Sequence, residues 1–262
     1  MYETLEVRIE HGVATVWMNR PGVHNAFNAQ LIAELTAACR ALDADDAVRV
    51  VVLAGRGKSF SAGADLNWMK AAAEASVEEN LEDARRLAAM LRTIAELDKP
   101  TIARVQGAAL GGGTGLASAC DICVASDEAA FATSEVKFGI IPSAISPYVI
   151  RAIGERQSYR YFQTAERISA ARAREIGLAH EVVAGEELDA KVAEIVAALL
   201  QGGPKAQAAA KDLIRGVANR PIDDDVAEDT ARRISSLRAT PEAKEGLDAF
   251  LAKRPAAWVP QG

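Results

Sequence analysis

The sequence predicts an α/β fold that ends in a helical region. Short apolar runs typical of buried strands alternate with longer segments whose apolar residues recur at helical spacing. Glycine-rich loops stand where such strands pass into helices. With 262 residues and a hydrophobic content of 50%, the chain can bury a sizeable core. We divide it at Gln201-Gly-Gly-Pro204 into a mixed core, residues 1–200, and a C-terminal helical region, residues 201–262.

The first segment is predicted to be a β-hairpin followed by a helix. Leu5 to Glu10 and Val13 to Met18 alternate apolar and polar residues on either side of His11-Gly12, which is typical of two paired strands. Asn28 is predicted to cap the helix that follows. The apolar face of that helix comprises Leu31, Ile32, Leu35, Cys39 and Leu42.

An α/β segment is predicted next. Val48 to Ala54 is an almost continuous apolar strand, as expected where helices cover both faces of a sheet. Leu66 to Leu97 is predicted to be largely helical. Strands at Thr101 to Val105 and Ile122 to Ala125 flank a glycine-rich helix, which indicates a strand-helix-strand crossover. The predicted buried stripe of the long helical segment comprises Leu81, Leu87, Leu91 and Ile94.

Helices are predicted over the later part of the chain. Ser169 is a predicted N-cap, Gly177 a predicted helix end, and Thr240 with Pro241 a predicted helix start. The predicted helices are Ser146 to Ile153, Glu155 to Thr164, Ser169 to Ile176, Lys205 to Ala218, Asp223 to Leu237 and Pro241 to Lys253.

The overall charge and the N-terminal sequence bear on partners and location. A net charge of −6 argues against a nucleic-acid partner and against an anionic membrane surface. The sequence has no apolar run long enough to span a membrane and no signal-peptide pattern at its start. We therefore predict a cytoplasmic protein.

The three cysteines are predicted to be buried structural thiols. Cys120 and Cys123 have the spacing of a redox pair or half a metal site, but no second pair supplies further ligands. Cys39 lies on an apolar helix face. The histidines are scattered without ligand spacing, so we predict no metal site.

Two glycine-bearing loops predict a site for developing negative charge. Gly107 to Gly115 joins a strand to a helix, and Phe60 to Asp65 stands at a second junction of the same kind. Helix starts offer unpaired N–H groups, and glycines let a ligand approach them closely. Two such loops can hold one oxygen atom from two sides, which is the chemistry of an oxyanion hole.

Several motifs occur in a fixed order and are specific when taken together. They are Asn19-Arg-Pro21 with Asn25-Ala26, Phe60 to Asp65, Lys99-Pro100, Gly107 to Gly113, Cys120-Asp121, and Ser134-Glu135 with Gly139 to Pro142. Over nearly its whole length the chain resembles the enoyl-CoA hydratase/isomerase (crotonase) family. The resemblance implies a spiral of ββα units, with C-terminal helices that support trimers which often pair into hexamers.

The resemblance also implies catalytic roles. The N–H groups of Ala64 and Gly112 would hold the oxygen of a thioester, and Glu135 would act as general acid/base. The apolar neighbours of Glu135 predict a raised pKa for its carboxyl group. Family hydratases with two carboxylates place the first at the position that is Gly115 here. The chain therefore retains one carboxylate of the pair.

The substrate-binding residues follow from the same resemblance. Coenzyme A is part of the substrate rather than a separate cofactor. It is expected at the loop from Phe60 to Asp65 and near two residues of the last predicted helix. The substrate-binding residues are Ala62, Gly63, Ala64, Asp65, Leu66, Gly112, Gly115, Phe250 and Lys253.

The acyl group is expected to be branched or carboxylated. Ala64 to Met69 and Ser143 to Pro147 resemble bacterial methylglutaconyl-CoA or isohexenylglutaconyl-CoA hydratases. A distal carboxylate would need an arginine or lysine in the acyl pocket. The sequence offers Lys70, Arg104 and Lys137 without choosing among them.

Alternative functions remain open at this point. The main prediction is an enoyl-CoA hydratase. A single carboxylate also suits an enoyl-CoA double-bond isomerase. Because Gly115 stands where a catalytic carboxylate is usual, a non-catalytic acyl-CoA binder is the third alternative. A dinucleotide site is a distant fourth, because Glu135 lies well beyond the end of the strand that follows the glycines, where the ribose contact is not expected.

Overall fold

The structure is a computed structural model that describes residues 2–260, and it confirms the α/β class. A six-stranded sheet has the order β1-β2-β3-β4-β6-β9, and a three-stranded sheet has the order β5-β7-β8. The strands are β1 (Leu5–Glu10), β2 (Val13–Met18), β3 (Val50–Gly55), β4 (Thr101–Val105), β5 (Ala108–Leu110), β6 (Ile122–Ser126), β7 (Ala130–Ala132), β8 (Ile168–Ser169) and β9 (Glu181–Val183).

Ten α-helices and three short 3₁₀ helices accompany the strands within residues 2–260. The α-helices are α1 (Ala29–Asp43), α2 (Leu66–Glu74), α3 (Val77–Glu96), α4 (Gly112–Ala119), α5 (Ser146–Thr164), α6 (Ala170–Glu175), α7 (Leu188–Gln201), α8 (Pro204–Val217), α9 (Asp224–Arg238) and α10 (Pro241–Leu251). The 3₁₀ helices are Pro21–Val23, Glu135–Phe138 and Gly185–Glu187. None of the described helices is long and apolar enough to cross a membrane.

The large sheet is parallel apart from its first strand, and apolar layers cover both faces. β1 and β2 form the predicted antiparallel hairpin, and each later neighbour pairs in parallel. On one face, Val50, Val52 and Ile102 pack against α7 through Leu188 and Val192. The other face carries the main core, which includes buried residues of α1, α3, α4 and α5. Burial on both sides explains why β3 is apolar throughout.

Local helix signals were confirmed, with two corrections. Asn28 accepts a hydrogen bond from the Leu31 N–H, and Ser169 and Thr240 cap α6 and α10. The predicted helix from Leu66 to Leu97 is two helices, because Ser76 forms a capping box that starts α3. The predicted burial of Leu81 was wrong: 48% of this residue is exposed, since it lies in the outer part of α3.

Several elements were not predicted. Strands β5, β7, β8 and β9 are three residues long or fewer, and they pair with segments distant in sequence. Helix α7 was also missed. Gly154, with φ 76°, interrupts α5 where the sequence predicted two helices.

Polar contacts join the C-terminal region to the core. The Arg49 side chain donates to the carbonyl oxygens of Gly202 and Trp258, at 2.6 and 3.0 Å. The Lys211 Nζ lies 2.7 Å from an Asp121 carboxylate oxygen. The division at residues 201–204 stays a prediction, and its outer limits at residues 1 and 262 lie outside the described residues.

Candidate active site

A cavity of about 480 Å³ lies where the two glycine loops meet helices α2 and α3. One side is formed by Ala62, Gly63 and Ala64 together with the start of α4 at Gly112. The segment from Ser134 to Ile145 forms another side. Both predicted loops and the predicted carboxylate therefore open onto one space.

The Ala64 amide is oriented by the chain on either side of it. The Phe27 N–H donates to the Gly63 carbonyl at 2.6 Å, and the Asp65 N–H donates to the Phe27 carbonyl at 2.8 Å. Because Phe27 and Ala64 form a parallel bridge, the Ala64 N–H points away from Phe27. It has no hydrogen-bond acceptor among residues 2–260. It is therefore free to donate to a ligand.

The second free amide is that of Gly112 at the start of α4. The preceding N–H, of Gly111, donates to the Ala132 carbonyl at 2.7 Å, whereas the Gly112 N–H finds no acceptor within the described chain. Its position in the first turn of a helix adds the favourable end of the helix dipole. Negative charge on a bound oxygen is stabilised there.

Glycine is required where the two loops touch. Gly63 has φ 89°, and a Cβ on it would lie 2.7 Å from the Leu110 carbonyl oxygen and 3.6 Å from the Gly112 nitrogen. A Cβ on Gly112 would lie 2.8 Å from the Phe27 ring. The free amides of Ala64 and Gly112 thus belong to loops in direct contact, which is the geometry of an oxyanion hole.

Glu135 brings the only carboxylate that lies against this pair of loops in the described cavity wall. It starts a 3₁₀ helix, and its Oε1 would be 3.2 Å from a Cβ built on Gly111. Its Oε2 is buried and has no hydrogen-bond partner among the described residues. Burial raises the pKa of the Glu135 carboxyl group, although its own N–H lowers it in part. A carboxyl group tuned in this direction suits proton transfer.

Ile145 occupies the space beside Gly115. Gly115 is buried in α4, and a Cβ there would overlap both Cβ and Cγ2 of Ile145. The Ile145 side chain lines the cavity, whereas Gly115 does not. An apolar side chain therefore fills the place where the sequence lacks a second carboxylate.

The other predicted binding residues divide into two groups. Leu66 lines the cavity with the loop residues, but Asp65 lies behind them, where it caps α2 and pairs with Arg20 at 2.9 Å. Burial raises the pKa of Asp65, but hydrogen bonds from Asn67 and Arg20 outweigh it, so the pKa is lowered overall. Phe250 and Lys253, at the end of α10, form no part of this cavity wall.

None of the basic residues proposed for a distal carboxylate lines the cavity. Lys70 and Lys137 are exposed, and Arg104 bonds to Asp189 at 2.5 Å. Sequence reasoning instead missed Trp68 and Asp83, which both line the cavity and share a hydrogen bond of 2.9 Å. The helical spacing of Asn80, Asp83, Ala84 and Leu87 was the available signal.

A larger cavity, of about 800 Å³, lies between the core and α8 and contains the C-x-x-C thiols. None of its described lining residues is a first-turn residue with an unbonded N–H group, so volume alone does not identify the active site. Burial raises the pKa of the Cys123 thiol to about 12 and that of Cys120 well above its usual value, which leaves both unreactive. Among residues 2–260 no group of three or more His, Cys, Asp or Glu could hold a metal ion.

Two free amides on touching loops, beside a buried carboxylate, are an arrangement suited to holding an oxyanion while a proton is moved. Residues 8–261 match the family model described as enoyl-CoA hydratase/isomerase, and the chain belongs to that family. A crotonyl-CoA hydratase of Syntrophomonas wolfei is 35% identical over 98% of each chain. A 4-chlorobenzoyl coenzyme A dehalogenase of Arthrobacter is 31% identical over 94% of this chain and 91% of its own.

Solved structures give the same result for the fold. The crystal structure of an enoyl-CoA hydratase from Shewanella pealeana superposes with a TM-score of 0.95, at 39% identity, over 98% of this chain and 96% of the other. The crotonase fold predicted from the motifs is therefore confirmed.

Proposed function

We propose that this enzyme adds water across the 2,3 double bond of an α,β-unsaturated acyl-CoA. The observation that carries the proposal is the unpartnered, buried oxygen of Glu135 beside two free amides. The names of relatives such as the Syntrophomonas wolfei crotonyl-CoA hydratase support the same reaction.

In the proposed mechanism, the N–H groups of Ala64 and Gly112 bind the thioester oxygen. Glu135 accepts a proton from water as the water oxygen bonds to C3, and the double-bond electrons move onto the thioester oxygen as an enolate. Glu135 then returns a proton to C2, and the carboxylate is regenerated. Each preorganised donor contributes about 3 kcal/mol of transition-state stabilisation.

A second candidate reaction is double-bond isomerisation, and the Gly115–Ile145 contact favours it. Without room for a second carboxylate, Glu135 can take a proton from C4 and deliver it to C2, which moves the double bond without adding water. The same two amides would stabilise the dienolate formed between the steps.

The deciding experiment uses enoyl-CoA esters with the double bond at the 2,3 or the 3,4 position. Proton NMR in D2O distinguishes a 3-hydroxyacyl product from a shifted double bond. Hydration of the 2,3 ester supports the main proposal, and a shifted bond alone supports the isomerase. Tight binding of both esters with no deuterium in the acyl chain would identify a non-catalytic binder.

The finer substrate and assembly proposals have unequal support. A branched, 3-methylglutaconyl-type acyl group gains apolar contacts from Leu110 and Ile145, but its carboxylate meets no Lys, Arg or His among the described lining residues.

We propose a homotrimer or dimer of trimers, supported by exposed apolar residues of α8 to α10 such as Ile214, Leu247 and Phe250. Coenzyme A contacts at Ala62 to Leu66, and a cytoplasmic location, stay predictions.

A further inference from the structure

We infer that the cavity selects an uncharged acyl group and that the Asp83 carboxylate repels acyl groups that end in a carboxylate. This inference rests on the proposed function, because it takes the cavity as the acyl-binding site. It narrows the substrate class from enoyl esters in general to those with a neutral tail.

Helix α3 places Asp83 in the cavity wall at a fixed position. Asn80, Asp83 and Leu87 lie on one face of the helix and all line the cavity. The Asp83 Oδ2 accepts a hydrogen bond of 2.9 Å from the indole N–H of Trp68, on the facing helix α2. The Asp83 side chain lines the cavity and is 31% exposed. The indole contact orients the carboxylate across the space between the two helices.

One cation lies near Asp83, but two carboxylates share it. Arg86 lies 3.3 Å from an Asp83 oxygen and 3.5 Å from a Glu82 oxygen. Its side chain is 57% exposed and forms no part of the cavity wall. Glu82 also pairs with Arg85 at 3.8 Å, so these two acidic and two basic residues balance one another in charge. Asp83 is the one of the four that lines the cavity, so its carboxylate is the charge nearest to an acyl group that enters.

The rest of the wall offers an anion no compensation. Apart from Asp83 and Glu135, most of the described residues that line the cavity are apolar, and none of them is Lys, Arg or His. A carboxylate that enters loses hydration without gaining an ion pair, and it meets two like charges. A neutral tail of the same size instead gains contacts with residues such as Leu87, Phe138 and Ile145.

The test compares two substrates of nearly the same shape. Glutaconyl-CoA and 5-methylhex-2-enoyl-CoA differ only in a terminal carboxylate replaced by an isopropyl group. We expect kcat/KM to be at least ~100-fold higher for the uncharged ester, since an unpaired charge in such a cavity costs several kcal/mol. Asp83→Asn keeps an oxygen for the Trp68 indole and removes the charge, so it should narrow this ratio by ~10-fold.

The matched control is Glu82→Gln, which removes the same charge from the same helix outside the cavity wall. It should leave the ratio unchanged. Equal or better turnover of glutaconyl-CoA by the wild-type protein would overturn the inference. So would a selective loss of glutaconyl-CoA turnover in Arg86→Gln, because Arg86 would then read the carboxylate.

Binding measurements separate this inference from the proposed function. Calorimetric titration with glutaryl-CoA and 5-methylhexanoyl-CoA needs no turnover, and we expect the uncharged thioester to bind at least ~10-fold more tightly. If no enoyl-CoA reacts, the hydratase and isomerase proposals fail, while this binding ratio still decides the selectivity. Equal binding of the two thioesters would refute the selection of a neutral tail.

Discussion

At the scale of single residues, the buried carboxyl group of Glu135 destabilises the fold and matches the proposed proton transfer. Its buried Oε2 lacks a hydrogen-bond partner in the described chain, and burial raises the pKa of the carboxyl group. A buried acceptor without a partner destabilises the folded state by about 1 to 3 kcal/mol. Such a group is retained where a substrate completes its hydrogen bonding.

Glu135→Gln should therefore abolish turnover and stabilise the fold. Gln is similar in size and cannot relay a proton, so kcat should fall by ~100-fold or more. The removal of an unpaired buried charge should raise the Tm by a few degrees at neutral pH. Steady-state kinetics and thermal unfolding measure the two effects. Unimpaired turnover would remove Glu135 from its proposed role.

The pH dependence of both properties follows from the raised pKa of Glu135. Activity should rise with pH through that pKa, which lies above the ordinary value of 4.5, because the proposed base must be ionised. The effect of pH on stability has the opposite sign. The folded protein binds the Glu135 proton more tightly than the unfolded chain does, so this proton stabilises the fold at low pH. That stabilisation is lost as pH rises through the raised pKa. The Tm advantage of Glu135→Gln should accordingly develop as pH rises from the ordinary value of 4.5 to the raised pKa, and it should be complete above that pKa. An acid limb of kcat/KM centred below 4.5 would contradict the assignment.

Gly115 and Ile145 should behave as a coupled pair. Gly115→Ala places a methyl group in the Ile145 side chain and should destabilise the protein by about 1 to 3 kcal/mol, as overpacking does. Ile145→Ala alone should destabilise it by leaving a cavity. The double variant should be more stable than the sum of the two single destabilisations predicts, because the methyl group that Gly115→Ala adds would fill the space that Ile145→Ala leaves. Urea unfolding of all four proteins measures this coupling, and strict additivity would show that the contact does not matter.

At the scale of elements, short strands hold the amide loops in place. Ser61 and Leu110 exchange backbone contacts with the neighbouring loop: the Ser61 N–H donates to the Ala108 carbonyl, and the Leu110 N–H donates to the Ser61 carbonyl. The adjoining β5 pairs with β7 and so ties the start of α4 to the small sheet. Rigid backbone on both loops keeps the two donors oriented before substrate binds.

Elements with local signals were predictable, and those made by distant contacts were not. The β1–β2 hairpin and the caps at Asn28, Ser169 and Thr240 depend on residues a few positions apart, and all were confirmed. Strands such as β8 have two residues, too few for a periodic pattern. They exist because a distant strand supplies their hydrogen bonds.

Glu34 should control the attachment of the chain start to α1. Its carboxylate accepts hydrogen bonds from the N–H groups of Glu3 and Thr4 and from the Thr4 hydroxyl, at 2.8, 2.8 and 2.5 Å. Burial raises the pKa of Glu34, but these hydrogen bonds outweigh it and lower the pKa to about 2. Glu34→Gln should lower the free energy of unfolding by about 2 kcal/mol at pH 7.

The sign of the pH effect at Glu34 is opposite to that at Glu135. The folded pKa is depressed, so the stabilisation is present above the ordinary value of 4.5 and is lost as pH falls toward 2. Urea titrations at neutral and acid pH should show the two proteins converging as pH falls. The exposed Glu10→Gln serves as a control with no expected effect. A constant difference at all pH values would contradict the role of the Glu34 charge.

At the scale of the whole molecule, the site combines residues that lie far apart in sequence. Ala64, Gly112 and Glu135 were predictable because they belong to motifs with a recognisable order. Ile145 and Asp83 were not, because their role depends on how α3 and the segment after Glu135 pack around the loops. Apolar neighbours of Glu135 were predicted from the sequence, but the carboxylate of Asp83 in the same cavity wall was not.

The C-terminal helices leave apolar side chains uncovered, and this predicts self-association. Phe250 is 80% exposed at the end of α10, near exposed Leu247 and Leu251. Clustered apolar residues on a surface mark an interface. If that interface joins copies of this chain, Phe250→Asp should shift the mass measured by sedimentation from trimer or hexamer toward monomer, since burying a charge there is unfavourable. Ile9→Asp, on the edge strand β1 and outside the C-terminal helices, should leave the mass unchanged. A wild-type monomer at micromolar concentration, or an unaltered mass for Phe250→Asp, would refute this assembly.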